Sequence, residues 1–119
     1  MSKAASLGKY AEQRAVDYLR QQNYQILARN FRWRYKEIDI IASQNKTLVI
    51  VEVRARTKLY FGAPETFVSR RKIQNLVEAT NAYMDQFQID WEVRFDVIAL
   101  HFSRGSWEIK HLKNAFNAI

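Results

Sequence analysis

Two apolar runs, Glu37 to Ala42 and Leu48 to Ala55, flank the polar, turn-like segment Ser43-Gln44-Asn45-Lys46-Thr47, and this pattern dictates a β-hairpin. With Asn45-Lys46 as a two-residue turn, Ile41 faces Ile50, Asp39 faces Glu52 and Glu37 faces Arg54. Side chains on opposed strand positions have Cβ atoms about 4.5–5.5 Å apart, and like charges placed there repel. A divalent cation held by both Asp39 and Glu52 offsets that repulsion, and hard oxygen ligands at this separation suit Mg²⁺ or Mn²⁺. Slipping the register by one would place the two acids on opposite faces of the sheet. Glu52 and Arg54 alternate along an otherwise apolar strand, Leu48-Val49-Ile50-Val51 with Val53, so on their own they would also suit an exposed ion pair.

The rest of the chain builds around this hairpin. From Leu7 to Leu19, Leu7, Ala11, Ala15, Tyr18 and Leu19 recur at helical spacing, with Glu12 at the edge of the apolar stripe. After Asn23, an extended stretch runs from Tyr24 through Phe31, Trp33 and Tyr35, aromatics that alternate with Arg32, Arg34 and Lys36; this predicts a strand with one aromatic and one basic face. Thr57 to Thr66, with Gly62 and Pro64, reads as a loop. Ser69 caps a second helix carrying Ile73, Leu76, Val77, Thr80, Tyr83, Met84 and Phe87. Val93 to Phe102 is a strand whose run Val97-Ile98-Ala99-Leu100 is suited to burial on both faces. A turn at Arg104-Gly105 leads to a short strand, Trp107 to Ile109, and a short terminal helix around Ala115-Phe116. The expected order is α-β-β-β-α-β-β-α in one mixed α/β domain spanning residues 1–119.

Composition narrows the chemistry. The 119 residues suffice for one domain with one core, and the absence of cysteine removes disulfides, thiolate metal sites and a cysteine nucleophile. Neither a signal-peptide core nor an apolar run of about 18 residues occurs, so a cytoplasmic protein without a membrane span is expected. Nineteen Lys and Arg against twelve Asp and Glu leave a net charge of +7, which attracts polyanions, nucleic acid first.

Glu12, the run Glu37-Ile38-Asp39-Ile40-Ile41-Ala42, the run Val51-Glu52-Val53-Arg54-Ala55-Arg56, Phe61-Gly62 and Arg94-Phe95-Asp96-Val97 together resemble the YraN-type family of small bacterial proteins. That family is similar in turn to the PD-(D/E)XK nucleases, which have the restriction-endonuclease-like fold, and among them to archaeal Holliday junction resolvases. The resemblance implies that Asp39 and Glu52 bind metal, that Glu12 completes the site, and that the activity is Mg²⁺- or Mn²⁺-dependent hydrolysis of DNA phosphodiesters, branched DNA included. By the same analogy the assembly is a homodimer. Arg54 stands where the superfamily motif has Lys; it can hold a phosphate but cannot serve as a base. Lys36 stands where the family pattern has Gly. A nucleic-acid-binding module that keeps the fold without catalysis is therefore the competing expectation, and an interaction scaffold a third.

Arg32, Arg34, Lys36, Arg56, Lys58, Arg70, Arg71 and Lys72 are the candidate nucleic-acid contacts; the last three fall in the first turn of the second helix, where cations oppose the helix dipole. Arg94 and Asp96 are expected to form a structural ion pair beside the site. His101 and His111 lack metal-ligand spacing and are expected to be structural.

Overall fold

The structure, a computed structural model, describes residues 3–56 and 68–117, with side chains from Ser6 onward. Its elements in chain order are α1 (Lys3–Gln21), β1 (Gln25–Trp33), β2 (Lys36–Gln44), β3 (Thr47–Arg56), α2 (Arg70–Phe87), β4 (Glu92–Ser103) and β5 (Ser106–Leu112). The five strands form one sheet in sequence order. Neighbours are antiparallel except β3 and β4, which run parallel and are joined through α2. A parallel pair needs a long crossover, and a helix is its usual form.

Alternation along the central strands sends side chains to both faces, and each face has its own helix. Ile40, Ala42, Val49, Val51, Ile98 and Leu100 pack with Ala11, Ala15, Val16 and Leu19 of α1. Ile41, Leu48, Ile50 and Phe95 pack with Leu76, Ala79 and Tyr83 of α2. The middle of the sheet is thus dry on both sides, which explains the unbroken apolar run Val97 to Leu100, all of it buried. No helix of the described residues is long and apolar enough to cross a membrane.

The expected β2–β3 turn is present: Asn45 and Lys46 both adopt positive φ (51° and 60°), as the twist-matched two-residue turn requires. Lysine carries a cost in that conformation that glycine avoids. Lys46→Gly is therefore expected to raise stability by about 0.5–1 kcal/mol in urea unfolding, after allowance for glycine's greater freedom in the unfolded chain. A loss of stability would mean that the lysine side chain makes a compensating contact. At α2, Ser69 is the N-cap, its Oγ accepting from the Lys72 amide at 3.1 Å.

Two expected elements differ. The first strand does not run on through Tyr35: Trp33 pairs directly with Lys36, and Arg34-Tyr35 form a tight turn with Arg34 at φ 61°. The basic and aromatic alternation thus spans a hairpin tip, and its aromatics divide. Phe31 packs on Tyr83 with ring centroids 5.1 Å apart and Trp33 is partly buried, whereas Tyr35 is 78% exposed. The terminal helix is not formed over residues 113–117. The Ala115 amide donates to the Phe95 carbonyl at 2.8 Å and Phe116 stacks on Phe95, so this short segment satisfies its backbone against β4. Four or five residues cannot recover the cost of nucleating a helix when a strand offers partners. The Thr57–Thr66 loop, with Lys58, Phe61, Gly62 and Pro64, lies outside the described residues.

Candidate active site

The site forms where β2 and β3 part. Their pairing runs from Gln44↔Thr47 to Ile40↔Val51, in the register the turn dictates, and stops there. Neither the expected rung of Asp39 with Glu52 nor that of Glu37 with Arg54 is made; Glu37 instead meets Arg32 across the other hairpin, Oε2 to Nε 3.2 Å. Ile40 packs on the α1 face and Ile38 on the α2 face, although strict alternation would keep residues two apart on one face. The alternation therefore breaks at Asp39. On the adjacent strand Asn30, lying between the paired positions Arg29↔Ile40 and Phe31↔Ile38, adopts a left-handed φ of 51°. The Asp39 side chain replaces the missing rung: its Oδ2 accepts from the Val53 backbone amide at 2.8 Å.

Glu52 adjoins Asp39 in this fork. Burial, followed by the Glu52 charge, pushes the Asp39 carboxyl up to about 7. A protonated Asp39 can donate to Glu52; when both are ionised, two negative charges share a mostly buried space. Glu52 is 8% exposed, and its Oε1 is buried without a hydrogen-bond partner. Its Oε2 lies 3.7 Å from Lys72 Nζ and 3.9 Å from Arg54 Nη2. A partnerless buried carboxylate oxygen beside a second carboxylate is a donor set that suits a hard divalent cation, with water or phosphate completing the shell.

Glu12 lines the same cleft as Asp39, a space of about 710 Å³ bordered by α1, Arg29, Asn30 and Val53. Its carboxylate is already engaged, however: Oε1 accepts from Arg29 Nε and Asn30 Nδ2, each at 3.0 Å, and Arg29 is held in turn by Gln13 at 3.1 Å. Among the described residues no group of three acidic or histidine side chains converges as a metal cluster. The structure thus brings Asp39, Glu52 and Arg54 together and sets Glu12 at the cleft wall.

The expected basic residues scatter. Arg54 is mostly buried beside Glu52, and Lys72 reaches the same carboxylate from the first turn of α2. Sequence reasoning had grouped Lys72 with Arg70 and Arg71, which are exposed. Its place beside Glu52 depends on where α2 docks, and no local spacing encodes that. Arg34 stacks its guanidinium 4.4 Å from the Trp33 ring centroid. Lys36 is buried and paired with Glu78, so its ammonium does not face outward for a phosphate. Arg56 donates to the Ala55 carbonyl at 3.0 Å. The Glu12 clamp by Arg29 and Asn30 was missed; an Asn inside an otherwise strand-forming run, a residue type that tolerates left-handed φ, is its one sequence-level trace.

Arg94 and Asp96 form the expected ion pair, but within a larger buried network. Arg94 Nε and Nη2 donate to the two Asp96 oxygens at 2.9 Å each, and Nη2 also reaches the Tyr24 hydroxyl at 2.8 Å. His111 Nε2 lies 2.7 Å from Asp96 Oδ2 and its Nδ1 lies 3.0 Å from the Tyr18 hydroxyl, while the Asn114 amide donates to Asp96 Oδ1. This network lies at the C-terminal end of α1, whereas the cleft borders its Gly8–Gln13 stretch. His111 thus sits in this network and not in the cleft.

Comparison with known proteins places these features in context. A solved structure of Archaeoglobus fulgidus Hjc, a Holliday junction resolvase from an archaeal hyperthermophile, matches with a TM-score of 0.52 at 17% identity, over 88% of this chain and 85% of that one. The fold is therefore the nuclease-like, restriction-endonuclease-like one. Among relatives in sequence, a UPF0102 protein of Christiangramia forsetii is 42% identical over 116 residues, 98% of both chains. One of Bacteroides thetaiotaomicron is 44% identical over 116 residues, covering 98% of this chain and 96% of its own, and one of Persephonella marina is 42% identical over 111 residues, 92% of each. The model of the family described as "Uncharacterised protein family UPF0102" matches residues 11–100, a stretch that includes Glu12, Asp39 and Glu52, and the chain belongs to that family, also called the YraN family.

Proposed function

We propose that this single nuclease-like domain is a Mg²⁺- or Mn²⁺-dependent endonuclease that hydrolyses phosphodiester bonds in DNA, branched DNA included. The observation that carries the reading is the fork: Asp39 and Glu52 adjoin where β2 and β3 part, with a buried Glu52 oxygen that lacks a donor. Asp39 and Glu52 are the side chains that would hold the cation. When bound, the cation would supply Lewis-acid stabilisation of the phosphoryl charge and activation of the attacking water. Arg54 and Lys72 bring positive charge to the same carboxylate, where they can stabilise the negative charge that develops on the phosphate. The resolvase likeness in fold and the net charge of +7 support DNA as the substrate.

The test is a cleavage screen on linear, flapped and four-way DNA with Mg²⁺ or Mn²⁺, alongside calorimetric metal titration. Wild type is expected to bind the cation and nick at least one substrate, and Asp39→Ala and Glu52→Ala to lose both properties. Cleavage by both variants at the wild-type rate would place the chemistry elsewhere or in a contaminant. One observation favours the alternative of a catalytically weak DNA-binding module: Glu12 is clamped by Arg29 and Asn30, which leaves two carboxylates at the fork. That reading expects salt-sensitive DNA binding that persists in EDTA, with no cleavage under any metal.

A further inference from the structure

Tyr35 differs from the other exposed large apolar side chains of the described residues. Tyr10 and Phe102 each contact the Trp107 ring and Phe87 contacts Tyr83, whereas the ring contact of Tyr35 is the Lys36 ammonium, 4.9 Å from its centroid. That ammonium is not a loose surface charge. It is buried, paired with Glu78 and also 5.0 Å from the Trp33 ring centroid. Tyr35 therefore stands at the tip of the β1–β2 turn with a cation fixed beside its ring, while 78% of the residue is exposed. The same hairpin tip carries Arg32, exposed and paired with Glu37, and Arg34, its guanidinium stacked on Trp33. A lone exposed aromatic needs no explanation; one braced by a buried cation, on a turn that also carries two arginines, matches a platform for a nucleobase, whose π-face stacks while its phosphates meet the guanidiniums.

Tyr35 lies in the turn just before β2 and precedes Asp39 by four residues. At a strand rise of about 3.3 Å per residue the tip stands at most roughly 13 Å along the chain from Asp39, about four base steps of stacked DNA. We infer that Tyr35 stacks on an unpaired base of the DNA, so that the substrate is a strand with unpaired bases, at a branch or flap, within about four nucleotides of the phosphodiester presented to Asp39 and Glu52. This rests on the nuclease reading above and names the substrate class for it. Paired bases inside an uninterrupted duplex offer no free face to the ring.

The test is binding of full-length protein in Ca²⁺ to matched DNAs, one a continuous duplex and one with a flap carrying 2-aminopurine at successive positions from the branch. Wild type is expected to prefer the flapped DNA and to quench 2-aminopurine at one or two adjacent positions. Tyr35→Ala should lose that quench and about tenfold to a hundredfold of affinity for flapped DNA, with little change on duplex. Tyr35→Phe should keep both. Equal loss on the two DNAs, an unchanged quench in Tyr35→Ala, or no binding of either DNA by wild type overturns the inference. The two readings fail separately: quenching at Tyr35 without cleavage in Mg²⁺ or Mn²⁺ defeats the nuclease proposal and leaves this one standing, while cleavage with an unaltered Tyr35→Ala quench does the reverse.

Discussion

Asp39→Asn is expected to make the metal-free protein more stable at pH 8 while reducing cleavage by at least about 100-fold. The lower bound on activity follows from metal sites generally, where removing even an outer partner of a ligand costs about 10–100-fold. The gain in stability follows from the raised Asp39 pKa. An acid at about 7 when folded, against the ordinary 3.8, binds more protons in the folded state between those values. Its contribution to stability is therefore greatest in acid, falls as pH rises from about 4 to about 7, and stays low above. The shift sets a ceiling of about 4 kcal/mol, and partial relaxation of the fork should leave about 1–3 kcal/mol. Asparagine keeps an oxygen for the Val53 amide and adds an NH₂ that can donate to Glu52, removing the repulsion at every pH. Melting curves of wild type and variant in EDTA should accordingly nearly coincide below about pH 4, part progressively from there, and separate by several degrees at pH 8, and Mg²⁺ should narrow the gap by stabilising wild type alone. A variant less stable than wild type at pH 8 would show that the two acids do not repel.

The second large effect lies at the opposite end of α1. Asp96→Ala is expected to cost about 3–5 kcal/mol and to lower Tm by at least about 10 °C, because it strands Arg94 and His111 in a space where Asp96 is itself fully buried. Burial opposes the Asp96 charge, but hydrogen bonds from His111, Arg94 and the Asn114 amide together outweigh it and hold the carboxyl below its usual range. The sign is opposite to that of Asp39: this group stabilises the fold above the ordinary carboxylate pKa, and the contribution is lost as pH falls through its depressed folded value. Below about pH 4 wild type should therefore lose part of its advantage over Asp96→Ala. Cleavage per folded molecule, measured well below the variant's Tm, should stay near wild type. A large loss of activity in fully folded Asp96→Ala would tie the network to the site.

Much of this was legible in the sequence, because local rules decide it. Both helices, the Ser69 cap, the Asn45-Lys46 turn and the doubly buried run of β4 follow from periodicity and turn chemistry. The approach of Asp39 to Glu52 follows from the turn's register, although the ladder ends one rung short of the pair. What escaped depends on departures from alternation or on docking. The break at Asp39 depends on Asn30 in the neighbouring strand, and period-two reasoning assumes no such break. The strand expected through Tyr35 ended early because Arg34 takes a left-handed conformation that its residue type does not announce. Lys72 beside Glu52 and the Glu12 clamp join residues distant in sequence, and both exist only once a helix has settled on its face of the sheet.

One consequence concerns how β3 and its neighbour are tied together. Because a carboxylate oxygen takes the place of a main-chain carbonyl opposite Val53, the local mechanical integrity of the sheet is coupled to a titratable group. A regular rung is indifferent to pH and to ions, whereas this one strengthens or slackens with the electron density on Asp39. The tie between Val53 and its neighbouring strand is thus a contact of this fork whose strength depends on a proton.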